Sequence, residues 1–115
     1  MDRFWLDAFI GVIGEWKERV ERRKVVSVIK REMIAELNEN ALLLPEEFDK
    51  ALIGYVERSG QETLALYDTE LIIMVLIGQG MSEEEARDWF DYNVIGSYNG
   101  EGTPAFATIL EVEKG

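Results

Sequence analysis

Apolar residues recur along the first twenty positions at helical spacing. Trp5, Phe9, Val12, Trp16 and Val20 are four, three, four and four residues apart, which places them on one face of a helix. That stripe loses phase at Arg22-Arg23-Lys24, and a second begins with Val26, Ile29, Met33 and Leu37. The pattern predicts two helices or one bent helix, ending at Asn38–Asn40. Pro45-Glu46-Glu47 then opens a short helical turn. Residues 51–58 (ALIGYVER) and 63–67 (TLALY) are rich in β-formers and flank Ser59-Gly60-Gln61-Glu62, a loop of hairpin length.

Residues 71–77 (LIIMVLI) are apolar without a break, so periodicity does not separate strand from helix. Asp68 and Thr69 upstream and Gly78 and Gly80 downstream are helix start and stop signals, and favour a helix over about 69–79. Such a helix is apolar on every side and needs cover on more than one. Ser82-Glu83-Glu84-Glu85 is a capping box, with Met81 and Ala86 at staple positions. Ala86, Trp89, Phe90, Asn93 and Val94 share one face of the helix that follows, Glu84, Asp88 and Asp91 share another, and Gly96 ends it. Pro104 starts a last extended segment reaching Val112.

The predicted order is α(α)-β-β-α-α-β. Its class is α+β: an N-terminal helix or helix pair, a small antiparallel three-stranded sheet and two further helices. Two regions are expected, an amphipathic helical extension over 1–32 and an acidic α+β module over 33–115.

Charge sharpens that division. The 115 residues carry 12 basic and 23 acidic side chains, a net of −11, with neither Cys nor His. Residues 1–40 hold eight of each sign, so the whole excess lies in the remaining 75 residues. Disulfides, Cys/His zinc sites, cysteine nucleophiles and His-based triads are excluded. The acidity also argues against direct nucleic-acid binding. The N-terminal FWLDAFIGVI follows Asp2-Arg3, contains Asp7 and leads to no small-residue cleavage site, unlike a secretory signal. No apolar run is long enough to span a bilayer. Glu15, Glu18 and Glu21 interrupt the basic side of the first helix, which counts against a membrane surface. The expected location is cytoplasmic.

The candidate chemistry is sparse. Asp68, Asp91 and Glu101 match no metal-binding loop spacing, and neither a metal nor any other cofactor is expected. The loop Gly96-Ser97-Tyr98-Asn99-Gly100-Glu101-Gly102-Thr103 lacks the Gly-Lys-Ser/Thr ending of a phosphate loop. It reads instead as a turn using Asn99-Gly100. The surface best suited to a partner is acidic and aromatic: Glu84, Asp88, Asp91, Tyr92, Tyr98 and Glu101. Trp5, Phe9, Val12 and Trp16 are the candidate packing face of the extension, either against residues 71–77 or across a homodimer.

Three blocks, MIAELNENALLLPEEFDKALIGYVERSGQ (33–61), LALYD (64–68) and GMSEEEARDWFDYNVIGSYNGEGTPAF (80–106), carry a resemblance to a group of small proteins of bacteriophage and prophage genomes. The group has no catalytic residues to carry over. The resemblance implies an accessory protein, working in the host cell, that binds a host or phage protein and blocks host defence or nucleic-acid-handling machinery. A small hydrolase or nucleotide-binding protein using a divalent ion, and a virion assembly component, are the alternatives.

Overall fold

The structure, a computed structural model, describes residues 22, 24–96 and 99–110. The proposed contact of Trp5, Phe9, Val12 and Trp16, and the position of Tyr98, lie outside the described residues. Helix α1 runs over 24–37. A 3₁₀ segment, Glu46–Ala51, follows Pro45 and leads into β1 (Leu52–Arg58) and β2 (Gln61–Asp68). Next come α2 (Thr69–Gly78), α3 (Glu83–Phe90), a single π-helical turn (Asp91–Ile95) and β3 (Ala105–Ala107). The class is α+β, in the predicted order.

β1 and β2 form the expected antiparallel hairpin, with a turn of only Ser59 and Gly60 because β2 begins at Gln61. Leu52 lies opposite Tyr67 and Tyr55 opposite Ala65. β3 corrects the all-antiparallel expectation: it pairs parallel to β2, so the sheet is mixed, in the order β1-β2-β3. The chain between β2 and β3 contains both helices, and a long crossover of that kind lets a strand return in the same direction. The last strand is also shorter than expected. Its partners are Leu66, Tyr67 and Asp68, and β2 stops at Asp68, so beyond Ala107 there is no partner strand left to pair with.

Both caps read from the sequence are present. Asp68 Oδ1 accepts from the Glu70 and Leu71 amides at 2.9 and 3.3 Å, and Ser82 Oγ accepts from the Glu85 amide at 3.1 Å. α2 packs on the 3₁₀ segment, α3 and β2. Its Ile72, Ile73 and Leu76 are buried, while Met74 and Ile77 face outward among the described residues.

The core joins those three side chains to Ile34, Phe48, Ala51, Leu52, Ala65, Tyr67, Ala86 and Phe90. Phe106 closes it, edge-on to Phe90 at 5.4 Å and stacked on Tyr67 at 6.0 Å. The loop before β3 turns at Gly100, whose φ of +106° suits glycine. Two residues later, a side chain at Gly102 would overlap the carbonyl oxygen of Asn40, because the two backbones touch where the Leu42 amide donates to Gly102 O at 2.9 Å.

α1 meets the body with a polar face. Ser27, Lys30, Arg31, Ile34 and Asn38 fall three, one, three and four residues apart, on one side of the helix. Lys30 Nζ donates to Leu52 O at 2.9 Å, occupying a carbonyl at the β1 edge. Arg31 Nε lies 2.9 Å from both carboxylate oxygens of Asp49, and its terminal nitrogen donates to Leu44 O at 2.6 Å. Asn38 is 6% exposed; its Nδ2 donates to Thr63 O and its Oδ1 accepts from the Asn40 amide. Ile34 is the apolar member of this face, 3% exposed. Helix α1 passes through residues 32 and 33 without a break, so Lys30 and Arg31 are tied directly to the 3₁₀ segment and β1.

Candidate functional site: two exposed helix faces

α3 turns Ala86 and Phe90 into the core, with Trp89 and Val94 half-buried beside them. Trp89 stacks on Phe48 at 6.3 Å. Fixing that face inward forces the opposite one outward. Glu84, Asp88, Asp91 and Tyr92 are all exposed there, Tyr92 at 86%, and Ile95 at 55% continues the line. The π-helical turn at 91–95 adds a residue to the last turn, and the Gly96 amide closes it on Asp91 O at 2.9 Å.

Arg87 borders this ridge. It grips Glu70 of α2 with two parallel bonds of 3.1 and 2.9 Å and also reaches Glu83. The hydrogen bonds from Arg87 hold the Glu70 carboxyl below its usual range, and the Glu70 bonds, then those of Glu83, raise the Arg87 guanidinium further above its own. Glu70 and Glu83 are therefore paired with Arg87, whereas Glu84, Asp88 and Asp91 lie exposed beside them.

Of the six residues predicted as a partner surface, Glu84, Asp88, Asp91 and Tyr92 come together on this ridge. Glu101 is exposed on the loop before β3. Of the three carboxylates considered for a metal, Asp68 uses its Oδ1 to cap α2. Among the described residues no group of three carboxylates gathers closely enough to hold an ion, and no helix is long and apolar enough to cross a membrane.

The second face is on α1. Val26, Ile29, Met33 and Leu37 are 48–50% exposed, and Val25 is 55% exposed. An apolar helical stripe ordinarily faces a core, but here the core side is occupied by the anchors from Ser27 to Asn38. This surface did not stand out as a site in the sequence, although its stripe did. The signal that marks it is the adjoining face, where Lys30, Arg31, Ile34 and Asn38 recur at core spacing.

The groove between α1 and the 3₁₀ segment has Arg31 and Asp49 among its lining residues. Asp49 raises the Arg31 guanidinium above its ordinary value, chiefly by hydrogen bonding. Burial pushes the Tyr67 hydroxyl up, although it accepts from the Leu44 amide at 2.9 Å. No described buried side-chain polar atom lacks a partner. The chain matches no family model, no curated protein and no solved structure.

Proposed function

We propose that this is a non-enzymatic accessory protein of phage type, active in the host cytoplasm, that binds another protein through the α3 ridge. One observation supports the reading most: Tyr92, 86% exposed, stands at the end of a row of exposed carboxylates on a helix whose other face is locked in the core. Tyrosine is enriched at interface centres because it buries a large rigid surface and keeps a hydroxyl for hydrogen bonding. Carboxylates around it would steer the approach of a basic surface. A host defence or nucleic-acid-handling complex that grips phosphates with Lys and Arg offers such a surface, and the resemblance to phage proteins points to the same class of partner.

The test is affinity capture from host lysate with the full chain, repeated with Glu84→Lys, Asp88→Lys and Asp91→Lys combined and, separately, with Tyr92→Ala. The proposal expects the captured protein to be lost with the charge reversal and reduced with Tyr92→Ala. Capture of the same partners by all three chains would remove the ridge from the account.

A further inference from the structure

The loop between the π-helical turn and β3 lies outside the α3 ridge, and one of its dipeptides has chemistry of its own. Asn99 is exposed and precedes Gly100. The loop is drawn together at Thr103. Its Oγ1 accepts from the Asn99 amide at 2.9 Å and donates to Gly100 O at 2.7 Å, and the Thr103 amide donates to the same carbonyl at 3.2 Å. These bonds occupy the Asn99 N–H and the Gly100 carbonyl. Among the described residues no acceptor takes the Gly100 N–H. Gly100 carries no Cβ and has open space where one would stand, so no side chain shields its amide nitrogen.

We propose that Asn99 is a site of spontaneous modification, converted to an acid by the backbone nitrogen of Gly100. Hydroxide takes the Gly100 amide proton, and the nitrogen attacks Asn99 Cγ. A C–N bond forms, the Cγ–Nδ2 bond breaks, and the leaving nitrogen takes a proton from water to depart as ammonia. The product is a five-membered succinimide. Water opens it at the side-chain carbonyl to give aspartate, or at the main-chain carbonyl to give isoaspartate. The other three asparagines are not built this way. Asn38 is buried with both ends of its amide bonded, and precedes Glu39. Asn93 gives its Nδ2 to Trp89 O and precedes Val94, and Asn40 precedes Ala41. In each of these the attacking nitrogen would carry a side chain on its own Cα. The two products act differently. Aspartate adds a negative charge two residues from Glu101, in a chain already at −11. Isoaspartate also adds a methylene to the main chain. Gly102 is held against Asn40 and Leu42, where its carbonyl accepts the Leu42 amide at 2.9 Å, so the added length falls on the Asn99–Thr103 bond.

The test ages the full-length chain in mild alkali, native and in guanidinium chloride, and follows each asparagine by peptide mapping. The amide-to-acid mass shift should appear at Asn99 ahead of Asn38, Asn40 and Asn93, as two separable products with isoaspartate in excess. Its rate should rise with pH, because the attacking species is the deprotonated amide. The native chain should convert within about tenfold of the denatured rate, since opening an exposed loop costs little. Asn99→Gln should abolish the early shift. Asn99→Asp should unfold close to the midpoint of the starting chain, and the aged chain, enriched in isoaspartate, below it. A native chain whose Asn99 keeps its amide while the denatured chain loses it would overturn the proposal, as would conversion of Asn40 or Asn93 at the same rate. An aged chain as stable as Asn99→Asp would overturn the strain assigned to the loop. None of these readouts depends on the α3 ridge.

Discussion

α1 and α3 are both amphipathic, and they are mounted in opposite senses. α3 sends Ala86 and Phe90 into the core and shows Glu84, Asp88 and Asp91 to solvent. α1 sends Lys30, Arg31 and Asn38 inward and shows Val26, Ile29, Met33 and Leu37. The first helix is held by burial of apolar surface. The second is held by directional bonds: a guanidinium on a carboxylate, an ammonium on an edge carbonyl, an amide bridging to β2. Such bonds fix one rotation of the helix where a greasy contact would tolerate several. They also leave an apolar face available for something outside the core, which α3 does not offer.

The largest expected effect lies on α3. Phe90→Ala removes the ring that meets Phe106 edge-on and should cost about 3–5 kcal/mol in denaturant unfolding. Tyr92→Ala, two residues away on the exposed side, should stay within about 0.5 kcal/mol. Equal losses would mean that α3 is not oriented as described.

On α1 the corresponding inward position is Asn38. Asn38→Ala leaves Thr63 O and the Asn40 amide without their partner, and a loss of about 1–3 kcal/mol is expected. A neutral result would show that the helix end is not tied to β2. Asn38 is legible in the sequence as a helix terminator, but its bond to Thr63 is not, because nothing local announces a partner 25 residues away. The Arg31–Asp49 pair, 18 residues apart, is hidden for the same reason. By contrast, α2 and α3 are legible almost to the residue, since Asp68 and Ser82 cap them through amides two or three positions on. The direction of β3 depends on where two packed helices deliver the chain, and the PAFATILEV pattern carries no information about that. The four ridge residues are legible because α3 has a single apolar face. The α1 surface is not, because a stripe reports amphipathicity without saying which side the core takes.

The smallest effect is on the surface of α3. Arg87→Leu should return the Glu70 carboxyl, now held low, to the ordinary carboxylate range, as followed by NMR titration. The sign is fixed by the lowered folded value. The stabilisation is present above the unfolded carboxyl range and is lost as pH falls through the folded one. Both groups are exposed, so the unfolding midpoint should move little. An unchanged Glu70 titration would mean the bidentate bridge is absent in solution.

The orientation of α1 is the claim on which the contrast between the two helices depends, and a double-mutant cycle on Arg31 and Asp49 tests it most directly. Arg31→Leu, Asp49→Leu and the double variant would be compared by equilibrium unfolding. The side chains are 24% and 9% exposed, so removing either partner strands a poorly solvated charge, and a coupling energy of about 1–3 kcal/mol is predicted. Additivity within about 0.5 kcal/mol would contradict it, because it would mean that α1 does not turn Arg31 toward Asp49 and that its apolar stripe is not the outward face.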